Sequence, residues 1–306
     1  MIKVLQHMSH KAGRNFRAVN VPVSFYYMTE PFVPGTQWSE GWDALRAAAL
    51  GEWDKGPGGN WSKKNDAQDP RDSRTVFINH MFWPDLALAP GGALPAAHHI
   101  QMMREPVSRE ISAYYYLMYG PRPAGKMAAM VDSRRKDTGL DHTPTINEFM
   151  RYAEDRWGRD CWQYAPARGH IKGNMQTRFF CGFHPVCEDI CSEAALHRAK
   201  SVLTNQYLMV GLLEHIKPSL ALLERLLPGW FSGFGAQYGA FVHELGGHGA
   251  RTHNGTHEPP TTETVGIIES IHRQDRALYA HAIRVLEAKL KVCLPGNTFK
   301  PIVDRT

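Results

Sequence analysis

No stretch of these 306 residues approaches the roughly 18 to 20 consecutive apolar side chains that a membrane-crossing helix needs. The opening residues, Met1-Ile2-Lys3-Val4, run almost at once into a strand-like segment, so neither a signal peptide nor an anchor is legible there. Cysteine is scarce: there are five, and an odd number leaves at least one without a partner in the chain. Internal repeats are absent, which excludes a solenoid or an array. Helix-turn-helix and zinc-finger spacings are also missing, and Lys and Arg are scattered instead of lining one stripe. Nucleic acid is therefore not the expected partner.

What is present belongs to a globular chain. Hydrophobic residues make up 43% and aromatic residues 10%, enough to bury a large core and to exclude disorder. The net charge of +5 suits an anionic substrate without specifying one. Strand-like runs occupy Lys3 to Met8, Ala18 to Tyr27, Thr75 to Met81, His98 to Met103 and Tyr207 to Leu212. Helical spacing marks Trp42 to Leu50, Val107 to Tyr119, Thr145 to Trp157, Glu193 to Thr204 and Lys217 to Leu227, with one or two closing helices over Thr262 to Leu290. Between them, Lys55 to Arg74 and Pro121 to Thr143 are polar enough to be surface loops. Strands interleaved with helices predict an α/β fold: a central, mostly parallel sheet with helices on both faces, in one domain over residues 1–306.

The segment that carries most chemistry is Arg104-Glu105-Pro106-Val107-Ser108-Arg109-Glu110-Ile111-Ser112-Ala113-Tyr114-Tyr115-Tyr116. A buried strand feeds Arg-acid-Pro and then a helix bearing Ser112. Arg104 can present a bidentate fork, and the Ser112 hydroxyl can meet the same anion from the helix. The segment resembles the 3′-phosphate-binding element of sulfotransferases, and its Tyr run resembles the glycan 2-O-sulfotransferases. Further stretches match that family in order: Phe179 to Cys187, Ala194 to Lys200, Tyr207 to Glu214 and Leu222 to Pro228. They are similar to the C-terminal half of uronyl and heparan sulfate 2-O-sulfotransferases, best from about Thr75 to Phe234.

The resemblance implies a P-loop-like sulfotransferase fold and 3′-phosphoadenosine 5′-phosphosulfate as sulfuryl donor. The donor's 5′ side would lie in Lys11-Ala12-Gly13-Arg14-Asn15, where Lys11 and Gly13 match the family and Arg14 and Asn15 replace its hydroxyl residues. Arg104 and Ser112 would hold the 3′-phosphate, joined by Arg251, Thr252 and Thr256 from a later loop; the family's Lys pair is missing there. His80 falls on the family's catalytic base at a strand end, with Ile78 replacing a preceding His. An imidazole suits that task because its pKa lies near neutrality. Lys11 would neutralise charge on the departing phosphate. Arg134, Arg135 and Arg178 would face the anionic polysaccharide acceptor.

Family members bridge the positions of Cys181 and Cys187, so a disulfide is expected there. A second family bridge involves the position of Cys161, but Phe149 or a neighbour stands where its partner should be. Cys161, Cys191 and Cys293 are accordingly expected to be small buried residues. The resemblance also implies a Golgi lumen, an N-terminal anchor not seen in this chain, and a possible trimer. Sequons at Asn60-Trp61-Ser62 and Asn254-Gly255-Thr256 fit a secretory lumen.

Two rivals follow from the irregularities. A catalytically silent relative would bind nucleotide or glycan without transfer, and the loop after Lys11 discriminates it. A nucleotide kinase would need a complete Gly-x-x-x-x-Gly-Lys-Ser/Thr loop, which is absent. His243-Glu244-Leu245-Gly246-Gly247-His248 nearly mimics a zinc motif, but the spacing is one residue too long, and no metal is expected.

Overall fold

A computed structural model describes residues 16–20, 74–78, 98–119, 131–133, 135–162, 173–244 and 258–296, the first two segments as backbone. Strands β1 (Phe16–Asn20) and β2 (Arg74–Ile78) pair in parallel, with Phe16 opposite Arg74 and Asn20 opposite Ile78. Strands β3 (His99–Met103) and β4 (Tyr207–Leu212) form a second parallel pair, which ends with Met103 opposite Leu212. Parallel neighbours require crossovers. The β3-to-β4 crossover runs through α1 (Pro106–Tyr119), α2 (Ile146–Trp157), α3 (Met175–Cys181) and α4 (Glu193–Asn205). After β4 come α5 (Ile216–Leu226), the single turn α6 (Pro228–Phe231), α7 (Phe234–Glu244), α8 (Thr262–Ile271) and α9 (Arg273–Cys293). The architecture is thus mixed α/β with parallel strand pairing.

Local chemistry explains where these helices begin. Thr145 and Glu148 form a reciprocal capping box at α2, with bonds of 3.2 and 2.8 Å. Ser192 caps α4 and Thr261 caps α8. β4 is more buried than β3, and its neighbours α4, α5 and α9 cover it with Leu203, Leu222, Leu278, Ala282 and Leu286. Each such leucine stabilises the fold by about 1.5–3 kcal/mol through burial. A Cβ at Gly211 would stand 2.5 Å from the sulfur of Met102 on β3, so that flexible side chain would have to move. A second apolar cluster joins α1, α2 and α8 through Tyr114, Met118, Phe149, Met150, Ile267 and Ile271.

Several expectations are corrected. Residues 131–133 and 135–138 are helical, so the segment from Pro121 to Thr143 is not wholly a loop. The α3 helix and the helix ending at His243 and Glu244 were not anticipated. The predicted strand at Lys3 to Met8, the helix at Trp42 to Leu50 and the loop from Lys55 as far as Ser73 lie outside the described residues. Among the described residues no helix is long and apolar enough to cross a membrane.

The cysteines give one agreement and one correction. Cys181 and Cys187 are bridged. Cys161 and Cys191, expected as isolated thiols, form a second disulfide, with sulfurs 2.06 Å and Cα atoms 5.8 Å apart. The physical reason is tertiary. Asn174 donates to the Trp162 carbonyl at 2.9 Å, and the Trp162 amide donates to the Ile271 carbonyl at 3.3 Å, which carries Cys161 to the loop preceding α4. Cys293 is the free cysteine. Peptide mapping without reduction should recover the Cys161 and Cys191 peptides linked. The Cys161→Ser, Cys191→Ser double variant should lose about 2–4 kcal/mol in urea titration, the range for a loop of this size. Two free thiols in protein made under oxidising conditions would refute the pairing.

Burial at the start of β3 has a pH consequence. His99, packed edge-on to Tyr207 at 5.8 Å, has its pKa pushed down to about 4, first by burial and then by neighbouring His98. Below the ordinary value near 6.5, the unfolded chain gains a proton here that the folded chain refuses until about pH 4. Stability conferred by neutral His99 is thus present above that ordinary value and lost as pH falls through the window. Melting temperatures between pH 7 and 4.5 should fall less steeply for His99→Gln than for the parent. Equal slopes would refute the effect.

Candidate functional site

The described part of the site grows from the carboxyl end of β3. There β4 turns away into the 3-10 turn Leu213–His215, and among the described residues Arg104 has no strand partner. The Gln176 carboxamide serves its backbone instead: it accepts from the Arg104 amide at 3.1 Å and donates to the Arg104 carbonyl at 2.9 Å. Glu214, at the end of β4, accepts the Glu105 amide at 3.0 Å and the Tyr279 hydroxyl at 2.8 Å. The Glu105 carboxylate folds back to accept the Val107 and Ser108 amides at 2.9 and 2.6 Å. It therefore answers the partial positive charge at the start of α1. An anion at this turn must be held by side chains, because the helix end is already occupied.

Arg104 is the side chain suited to that. Its Nε lies 4.0 Å from Glu214 Oε1, a long contact, and the side chain is 37% exposed. Ser112 sits half-buried two turns into α1. The tyrosine run anchors this helix: Tyr114 donates to the Pro144 carbonyl at 2.5 Å and Tyr115 to the Glu258 carbonyl at 2.9 Å. Glu258 directly follows the segment carrying Arg251, Thr252 and Thr256.

Beneath the turn lies a buried polar joint. Asp275, on α9 and fully buried, accepts the amides of Gln176 at 3.1 Å and Thr177 at 2.6 Å, so it caps α3. Asn174, in the left-handed region at φ 50°, accepts the amides of Gln274 at 3.0 Å and Asp275 at 3.1 Å, so it caps α9. Each helix start is capped by the other. Arg109 of α1 reaches the same joint, 3.7 Å from Asp275 and 3.4 Å from Glu110. The Asn174 amide donates to His272 Nδ1 at 3.2 Å, which puts the ring proton on Nε2. That nitrogen lies 3.3 Å from Glu110, within reach but off the line of a hydrogen bond.

Of the residues singled out from the sequence, Arg104 and Ser112 share this β3-to-α1 unit. Arg135 donates to the Asp141 carbonyl on a helical turn away from it. Arg178, expected to face an acceptor, is buried on α3 and donates to the Cys187 carbonyl, inside the loop closed by the disulfide. Lys11, Ala12, Gly13, Arg14, Asn15, His80, Arg134, Arg251, Thr252 and Thr256 lie outside the described residues. Among those described, no cluster of His, Cys, Asp or Glu is placed to hold a metal ion. Sequence reading missed Asn174, Gln176, Glu214 and Asp275. Glu214 closed a matched stretch and was legible as a strand-end carboxylate; the other three carry no signal without tertiary structure.

No protein-family model matches the chain. Comparison with curated proteins does find relatives. Uronyl 2-sulfotransferase of Homo sapiens is 30% identical over 228 residues, 74% of this chain and 51% of the relative. The Mus musculus protein of the same name is 30% identical over 210 residues, 68% of this chain and 46% of the relative. Heparan sulfate 2-O-sulfotransferase 1 of Xenopus laevis is 27% identical over 226 residues, 68% of this chain and 55% of the relative. The chain spans about half the length of these relatives.

Proposed function

We propose that this chain, which belongs to the family of uronyl and heparan sulfate 2-O-sulfotransferases, moves a sulfuryl group from 3′-phosphoadenosine 5′-phosphosulfate to the 2-hydroxyl of a uronic acid in an anionic polysaccharide. The observation that carries the reading is the β3-to-α1 turn. Its backbone polar groups and its helix end are already bonded, while among the described residues the Arg104 guanidinium has only a long contact to Glu214. Such a fork fits a doubly charged phosphate, with the Ser112 hydroxyl as a second donor.

His80 takes the proton of the acceptor hydroxyl while that oxygen forms its bond to sulfur. The bond from sulfur to the bridging oxygen breaks, and adenosine 3′,5′-bisphosphate departs with the electron pair. Lys11 neutralises the charge arriving on its 5′-phosphate, aided by the backbone of Ala12 and Gly13 and by Arg14 and Asn15. Arg251, Thr252 and Thr256 complete the nucleotide's 3′ side. Arg134 and Arg135 meet acceptor carboxylates and sulfates, whereas the buried Arg178 guanidinium serves the Cys187 carbonyl. In such transfers the protein contributes chiefly positioning and charge neutralisation. The reading extends to one P-loop-like domain working in the Golgi lumen, membrane-anchored as a whole protein and able to form a trimer, with a surface loop from residue 55 up to the start of β2 at Arg74.

The test is direct. The protein is incubated with sulfur-labelled donor and desulfated uronic-acid polysaccharides, which are then depolymerised. Label is expected at the 2-position of uronic acids. Label nowhere, from protein that binds adenosine 3′,5′-bisphosphate, would replace an enzyme with a silent binder.

A further inference from the structure

We infer that Gln176 is a positioning residue for the donor: it sets the aim of Arg104 and so the preference for a nucleotide carrying a 3′-phosphate. The inference rests on the reading of Arg104 given above. A peptide group leaving a parallel sheet has an N–H and a C=O to satisfy. At Arg104 both are taken by one side chain, at 3.1 and 2.9 Å, and the amide is unambiguous because the N–H must meet oxygen and the C=O must meet nitrogen. Gln176 thus supplies the pair of hydrogen bonds that a neighbouring strand would give.

That side chain is itself fixed. Gln176 is 7% exposed, and its own amide is held by Asp275, which lies at the reciprocal caps of α3 and α9. The Arg104 main chain, which continues directly from β3, is therefore tied through Gln176 to a buried two-helix joint. A long side chain that must meet a phosphate with a planar fork loses less freedom when its root is immobile. Removing the carboxamide leaves Arg104 in place chemically but frees its backbone.

The experiment measures affinities for adenosine 3′,5′-bisphosphate and adenosine 5′-monophosphate by calorimetry, and takes their ratio as the contribution of the 3′-phosphate. Gln176→Leu should lower the ratio about tenfold, the scale of one or two lost hydrogen bonds, with monophosphate affinity nearly unchanged. Gln176→Glu keeps the acceptor and loses the donor, so its ratio should fall between the two. In an Arg104→Ala background, Gln176→Leu should change the ratio no further, because a residue acting through another adds nothing once that residue is gone. If Gln176→Leu does not fold, Gln176→Glu carries the comparison.

Parallel weakening of both nucleotides, or a parental ratio in both Gln176 variants while Arg104→Ala lowers it, overturns the inference and leaves the donor reading standing. A parental ratio in Arg104→Ala overturns the donor reading itself.

Discussion

Replacing His80 with Ala is expected to lower sulfuryl transfer by about a hundred- to ten-thousand-fold while leaving donor affinity nearly intact. A general base acts on the acceptor proton and has no required contact with the nucleotide. Lys11 differs, because in the proposed mechanism it meets the donor's 5′-phosphate, so Lys11→Ala should reduce both rate and donor affinity. Steady-state rates on desulfated uronic-acid polysaccharides, measured beside calorimetric donor affinity, separate the two. His80 comes two residues after the end of β2, which pairs in parallel with β1. Ligands of open parallel sheets gather beyond the carboxyl ends of the strands, so a base placed after such an end is in the expected neighbourhood. Parental rates in His80→Ala would sink the mechanism.

The second large effect is on stability. Asp275→Ala should cost about 3–5 kcal/mol, because it leaves the Gln176 and Thr177 amides without their buried acceptor and removes one of the two buried carboxylates beside the Arg109 guanidinium. Asp275→Asn, which keeps an acceptor but not the charge, should cost less. Urea titration reads both. A loss below about 1 kcal/mol for Asp275→Ala would show that water or rearrangement satisfies these groups.

What the sequence disclosed follows physical lines. β4 has the predicted bounds because a short apolar run between helical segments has few alternatives. The start of α4 matched for a different reason, since Ser192 caps it and Glu193 follows. α3 was missed because its seven residues turn Gln176, Thr177 and Arg178 inward, which erases the amphipathic period. The same inversion explains why Arg178 looked like an acceptor contact: a cation flanking a matched motif is assumed to face solvent. The Cys161–Cys191 bridge was invisible because the partner lies 30 residues on, selected by the Asn174 and Trp162 bonds and not by local spacing. Arg104 and Ser112 were legible because strand, turn and helix are contiguous in the chain. The clamp on Arg104 was not, because Gln176 is 72 residues away.

The exchange of caps between α3 and α9 has a consequence for how this region opens. Asn174 immediately precedes α3 and caps α9, whereas Asp275 lies in the first turn of α9 and caps α3. Neither helix can unwind its first turn without orphaning amides in its partner. Fraying, ordinarily independent at each helix end, is here a joint event involving positions 98 to 101 residues apart in sequence. Gln176 sits at that joint and grips Arg104, so opening it would loosen the donor arm as well. A nucleotide held by Arg104 would then resist the opening of two helix ends that it never touches, and the amides of Gln176, Thr177, Gln274 and Asp275 would share one protection from solvent exchange.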